Sequence, residues 1–290
     1  MRRTRTGKKI ELTTRDIEIF RLLERYRYLR STYVHAFVGG ASQTRFKERL
    51  GDLYHEGGYL DRPKQQWQVA GSRYVPVVYE NTDKSRRLLH EQGIVVDRRE
   101  APHRQFSHTL MTCEILASIE LATHDCPGLR FIPISEILGK VPERTCNTRY
   151  PMRIPAGNDS ITPDGLFGLE YESFGRKSYR FFCLEADRAT MPIRRSERRR
   201  TSFLAKILTY RELLAKQAYK SHLGLPNLII LTVTTSESHK AHMLIALRDA
   251  INQSPQFLFK AMGDMASPMP TILTAPWERV GCSPLAIASP

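Results

Sequence analysis

The residues of this sequence best spaced to do chemistry are Asp164, Glu185 and Asp187, with Lys206 as their cationic complement. Glu185 and Asp187 close the apolar run Tyr179-Arg-Phe-Phe-Cys-Leu184. Side chains alternate between the faces of a strand, so Glu185 and Asp187 share one face with Phe181 and Cys183, while Phe182, Leu184 and Ala186 point the other way. Two such carboxylates stand about 6–7 Å apart, and a cation is the simplest relief of their repulsion. Asp164, in Ile161-Thr-Pro-Asp-Gly165 ahead of Leu166-Phe-Gly-Leu169, supplies a third acid at the start of a second strand. Three hard oxygen ligands from two strand ends are the donor type of Mg2+ or Mn2+. Lys206 lies in a helical pattern over Arg198–Lys220, where Phe203, Leu204, Ile207, Leu208, Leu214 and Ala218 mark a buried face. Tyr210 is its i+4 neighbour, at the rim of that face, from which both side chains can lean over the carboxylates.

Arg194, Arg195, Arg198, Arg199 and Arg200 follow directly on the acidic strand. Five arginines at a helix start oppose the helix dipole, which points to an anionic partner such as the phosphates flanking a cut site. The whole chain agrees, with a formal charge of +14 over 290 residues. A surface that basic matches nucleic acid better than a membrane, because no amphipathic anchor accompanies it. No apolar run approaches the length of a membrane span. The basic start, Met1–Lys9, lacks an apolar segment and does not read as a signal peptide. Cys113, Cys126, Cys146, Cys183 and Cys282 show neither a C-x-x-C pair nor zinc spacing, so they read as reduced thiols of a cytoplasmic protein.

Several elements must position these groups. After a basic arm over residues 1–11, Thr13 or Thr14 caps a helix marked by Ile19, Leu22, Leu23 and Tyr26. A second helix fits Ser31–Val38 and stops at Gly39-Gly40, and a third starts near Ser42 with Phe46, Leu50, Leu53 and Tyr54 on its apolar stripe. Gln43, Thr44, Arg45, Lys47 and Arg49 lie off that stripe, where a major-groove reader needs polar and basic side chains. Tyr59-Leu60, Gln66–Val69 and Val75–Tyr79 read as short strands around a wing. The pattern predicts a winged helix-turn-helix over residues 12–100, including a helix over Thr82–Gly93. The same helices would also serve as a scaffold for protein contacts.

Residues 101–280 predict a mixed α/β sheet covered by helices. A helix fits Phe106–Thr123, with Glu114 as a candidate fourth metal ligand or a plain solvent-facing acid, and His103 and His108 near its start. Leu129–Ile134 reads as a strand and Glu143–Ser160 as a loop whose Arg144, Arg149 and Arg153 suit phosphate. Leu228–Val233 reads as a strand and His239–Ile251 as a helix. Leu258-Phe259 and Thr271–Leu273 read as edge structure, and the Pro-rich end after Trp277, with residues 281–290 as a tail, as loose chain.

Pro163-Asp164, Glu185-x-Asp187 and a helical Lys206 resemble the core of the PD-(D/E)XK nucleases, with the lysine moved from its usual strand position, here Asp187, onto the following helix. Phe182-Cys-Leu-Glu-Ala-Asp-Arg-Ala-Thr190 with Lys206-Ile-Leu-x-Tyr210 is similar to the replication-relaxation family of plasmid and mobile-element proteins, from about Leu12 to Trp277. That family resembles mobilisation relaxases built on a restriction-endonuclease-like domain. The resemblance implies a metal-dependent DNA endonuclease or nickase acting on a double-stranded origin, with Mg2+ or Mn2+ held by Asp164, Glu185 and Asp187. A homodimer is left open. The alternative is a non-catalytic DNA-binding regulator on a degenerate nuclease fold, favoured by Asp187 in place of the strand lysine. A tyrosine-nucleophile relaxase lacks its histidine cluster here, although Tyr210 close to Lys206 leaves a covalent route open, and no Gly-x4-Gly-Lys-Ser/Thr loop supports ATP-driven activity.

Overall fold

A computed structural model describes residues 3–40, 42–68, 74–94, 106–189, 193, 202–251, 253–263 and 265–289. It divides into two compact units, one of Met1–Leu121 with Met265–Met269, the other of Ala122–Asp264 with Pro270–Pro290. The expected boundary near residue 100 lies outside the described residues.

The first unit is a winged helix-turn-helix. Helix α1 (Thr14–Tyr26) is opened by a capping box, in which Thr13 accepts from Asp16 N while the Asp16 carboxylate accepts from Thr13 N. The chain then forms β1 (Leu29–Arg30), α2 (Ser31–Val38) and α3 (Gln43–His55), with Ser42 capping the last. Phe46, Leu50, Leu53 and Tyr54 are buried against Ile19, Phe20, Leu23 and Tyr33, so the helical stripes legible in the sequence are the core contacts. Strand β2 (Leu60–Asp61) and β3 (Val78–Asn81) join β1 in the order β1-β3-β2, and α4 (Asp83–Glu91) and α5 (Phe106–His124) follow.

The expected strand over Gln66–Val69 is instead a 3-10 helix over Lys64–Gln68, with Val69 outside the described residues. The reason lies in one side chain. Gln66 Nε2 donates to Val78 O at 3.1 Å and its Oε1 accepts from Val78 N at 2.9 Å. The amide thus makes the pair of bonds a neighbouring strand would make, and the backbone is released to coil. Residues Met265–Met269 complete this unit: Arg30 Nη1 donates to Met265 O at 2.7 Å, Tyr33 OH to Ser267 O at 3.1 Å, and Met269 N to Ser118 Oγ at 3.3 Å.

The second unit, which begins at the end of α5, follows the expected order of strands, helix, strand, helix. Strand β4 (Leu129–Ile132) is followed by α6 (Ile134–Leu138) and α7 (Glu143–Cys146). A two-stranded hairpin, β5 (Ile154–Ala156) and β6 (Asp159–Ile161), then occupies what the sequence presented as loop. Gly157 turns it at φ +63°, and a Cβ there would collide with the Glu212 carboxylate. Strands β7 (Gly165–Ser173) and β8 (Arg176–Asp187) pair antiparallel in unbroken register, Gly165 opposite Leu184.

Helix α8 (Phe203–Ala215) is shorter than the sequence pattern, because Gln217 turns left-handed at φ 50° before α9 (Ala218–Leu223). Then come β9 (Ile229–Thr234), α10 (Glu237–Ala250), β10 (Ser254–Ala261), β11 (Trp277–Val280) and β12 (Cys282–Leu285). The sheet runs β12-β11-β10-β9-β8-β7-β4, with β8, β9 and β10 mutually parallel. The end of the chain, expected to be loose, supplies two of its strands, and Ile287 beyond them is fully buried. Thr271–Leu273, expected as edge structure, is a turn, with Ile272 and Leu273 buried.

Two layers fix β8 from either side. Phe182 stacks on Phe167 at 4.9 Å between ring centroids, and Phe167 on Phe131 at 5.5 Å. On the opposite face Cys183 packs in the cluster that holds Ile207, Tyr210 and Leu214 of α8. Each fully buried Phe contributes roughly 1.5–3 kcal/mol, so the strand cannot slip by one residue without turning its acids into the wrong layer.

Candidate active site

The alternation of β8 places Glu185 under α8, and the 3.6-residue period of α8 aims Lys206 and Tyr210 at it. Lys206 Nζ donates to Glu185 Oε2 and Tyr210 OH to Glu185 Oε1, both in short contacts. Tyr210 is fully buried rather than at the rim expected of it, and Lys206 reaches the carboxylate from the more open side. Asp164 stands next to this pair because the β7–β8 ladder carries on past Gly165: Asp164 N donates to Leu184 O at 3.0 Å. Its Oδ2 accepts from Ala186 N at 3.0 Å, so its carboxylate is held against the backbone of β8.

The electrostatics follow from this crowding. Burial pushes the Glu185 carboxyl up to about 8, and the neighbouring Asp164 charge adds to the push, while Lys206 and Tyr210 offset only part of it. Burial also raises the Cys183 thiol, and it raises Tyr210 well above the ordinary phenol value, again with Glu185 adding to the shift. The Tyr210 hydroxyl is therefore a committed donor, and its burial removes it from the role of nucleophile.

Asp187, two residues on, faces a different partner. Its Oδ1 accepts from Ala189 N at 2.7 Å, and its Oδ2 lies 3.3 Å from Nε2 of His239 in the first turn of α10. His239 was not singled out by its sequence context. The available signal is Ser236-x-x-His239 directly after β9: Ser236 caps α10 through His239 N at 3.2 Å, and because β9 is parallel to β8 that cap falls at the same strand ends as Asp187.

Glu114 is buried and takes Arg30 at 3.0 Å within the first unit, an internal ion pair rather than a solvent-facing acid. Among the described residues no three His, Cys, Asp or Glu side chains are grouped to hold a metal ion. Asp164 and Glu185 remain as a pair of carboxylates from adjacent strands. That pair suits Mg2+, which keeps several waters and takes one or two carboxylates together with substrate phosphate oxygens.

On α3, Gln43, Thr44, Arg45 and Lys47 are exposed. Arg49 instead grips the buried Asp16 through Nε at 3.0 Å and Nη2 at 2.5 Å, tying α3 to the start of α1. The Asp16 carboxyl stays below its ordinary value: burial opposes this, and the Arg49 and Thr13 hydrogen bonds prevail. Arg194, Arg195, Arg198 and Arg199 lie outside the described residues.

A family model described as replication-relaxation matches residues 20–229, which takes in both the winged helix and the strands and helix that carry Asp164, Glu185 and Lys206. The chain belongs to the replication-relaxation family. Membership points to a role in the replication or mobilisation of plasmids and mobile elements, and so to DNA. No curated protein and no solved structure matches this replication-relaxation protein. Among its described residues no helix is long and apolar enough to cross a membrane.

Proposed function

We propose that this replication-relaxation protein is a DNA endonuclease or nickase that acts on a plasmid or mobile-element origin with Mg2+ or Mn2+. The observation that carries the reading is the meeting of Asp164 and Glu185 beside Lys206, in surroundings that disfavour the second negative charge. Asp164 and Glu185 would hold the ion, whose charge would activate water and steady the leaving oxygen. Lys206 adds positive charge where charge builds up on the attacked phosphate. Tyr210 fixes the rotamer of Glu185, and Asp164 is fixed by Ala186 N. The exposed Gln43, Thr44, Arg45 and Lys47 of α3 would read duplex DNA in the major groove.

Purified protein with Mg2+ or Mn2+ is expected to relax supercoiled plasmid, and Asp164→Ala and Glu185→Gln to lose at least about 100-fold of that activity. Divalent metal is also expected to raise the melting temperature of the wild type but not of Glu185→Gln. Intact plasmid at every metal concentration, or full cleavage by Asp164→Ala, would end the proposal.

One observation favours a second reading, a DNA-binding regulator that does not cut. Both Glu185 oxygens already have protein donors, and Asp187 occupies the strand position where the resemblance expects lysine. In that case specific DNA binding is tight and indifferent to metal.

A further inference from the structure

The β5–β6 hairpin, the chain before it and α9 border an open surface cavity of about 600 Å³ that the proposed cutting site does not use. Arg149, Tyr150, Arg153, Asn158, Ser160 and His222 line it, and Asp159 is the one acid on its wall. Its frame is fixed: His222 Nε2 donates to Pro151 O at 2.9 Å, and Arg153 Nε to Ser160 Oγ at 2.7 Å. Tyr150 by contrast stands 59% exposed, backed by the Arg149 guanidinium 5.4 Å from its ring centroid. An aromatic ring held in water beside two arginines is the pairing by which proteins take a nucleotide, the ring stacking on the base and the cations meeting the phosphate. The volume lies in the range of sites for small organic groups. A base can enter such a cavity only when it is out of a double helix.

We propose that this cavity binds one unpaired nucleotide of a single-stranded DNA segment, with the base against Tyr150 and the phosphate between Arg149 and Arg153. Its position suits that task. Ser160 on its wall is four residues from Asp164, a reach of at most about 14 Å, so a strand lying on the carboxylates has a near neighbour to place here. The inference rests on the reading of the chain as a DNA-acting protein but not on cleavage, and it is tested without metal.

In the full chain with EDTA, fluorescence anisotropy with a short labelled oligothymidylate is expected to show binding that Tyr150→Ala weakens about tenfold and Tyr150→Phe leaves within about twofold. Binding of a duplex of equal length is expected to be unchanged by Tyr150→Ala. The double variant Arg149→Gln/Arg153→Gln is expected to weaken single-strand binding and to flatten its salt dependence by about 1.4 in log–log slope. Single-strand binding unmoved by Tyr150→Ala overturns the proposal, as does an equal loss on duplex. Competition by thymidine monophosphate as strong as that by the oligonucleotide also overturns it, in favour of a free-nucleotide site. Tyr150 is exposed, so its variants are expected to melt like the wild type, and a cleavage assay that fails leaves these binding outcomes readable.

Discussion

Glu170 and Glu185 sit on neighbouring strands of one sheet, about 20 Å apart by strand rise, and their surroundings drive them in opposite directions. Glu170 takes Arg130 at 2.8 Å and Lys177 at 2.7 Å. Those hydrogen bonds, Arg130 first, hold its carboxyl below the ordinary value. Glu185 also takes a lysine, yet its carboxyl is pushed up to about 8. The difference is one of proportion. At Glu170 hydrogen bonds from Arg130 and Lys177 outweigh burial at the edge of solvent, whereas at Glu185 burial and the neighbouring Asp164 charge outweigh the hydrogen bonds from Lys206 and Tyr210. Charges that alternate along the surface, Glu136 and Glu170 on Arg130 and Glu170 and Glu172 on Lys177, mark a brace between strands. A buried carboxyl pushed up by burial and by a second acid marks a place that gains from added positive charge, which is why the second end of the sheet and not the first is the candidate site.

The largest effect that can break this contrast is expected from Lys206→Met. Removing the Lys206 ammonium from Glu185 should cost about 3 kcal/mol at pH 9, and much less at pH 6, where Glu185 keeps its proton. Urea unfolding at the two pH values measures it, and equal losses at both would mean that the charge of Glu185 does not depend on Lys206. The same shift has a signed pH dependence in metal-free protein. The folded carboxyl of Glu185 titrates near 8 against an ordinary 4.5, so the folded state holds the extra proton between those values. Stability therefore falls as pH rises from 4.5 through 8, and Glu185→Gln should flatten that limb.

A smaller change, Tyr210→Phe, removes one donor to Glu185 and should cost about 1.5 kcal/mol while moving the carboxyl further upward, which side-chain carbon NMR would follow. The smallest effect belongs to the other end of the sheet. Arg130→Gln should change stability by less than about 1 kcal/mol at neutral pH and leave the titration of Glu185 untouched. Its signature lies at low pH: Arg130, with Lys140, holds the Glu136 carboxyl at about 2 against 4.5. The stability this supplies is present above 4.5 and lost as pH falls toward 2, so the variant's acid unfolding should shift only in that window.

Much of this site was legible in the residues themselves. Strand alternation put Glu185 and Cys183 on one face, and helical spacing put Lys206 and Tyr210 on one side of α8. Where local rules failed, a long-range contact had overridden them. Asp187 shares the face of Glu185 but turns to His239, 52 residues away. Arg49 looks like a groove-reading side chain until Asp16, on another helix, takes it. Strands β11 and β12 are four residues each and β10 and β12 both meet β11 with a shift in register, and a hairpin as short as β5–β6 offers three residues a side, so no regular period shows.

The return of Met265–Met269 to the winged-helix unit bears on how this protein is made. Its carbonyls receive Arg30 and Tyr33, and Met269 N donates to Ser118 Oγ. A ribosome releases the first 121 residues long before it supplies that segment, so the winged-helix unit emerges with these donors and acceptors still in water and settles only once nearly the whole chain is out. A fragment cut at residue 121 should accordingly be less stable than the same helices in the intact chain, and a peptide carrying residues 265–269 should restore part of the loss.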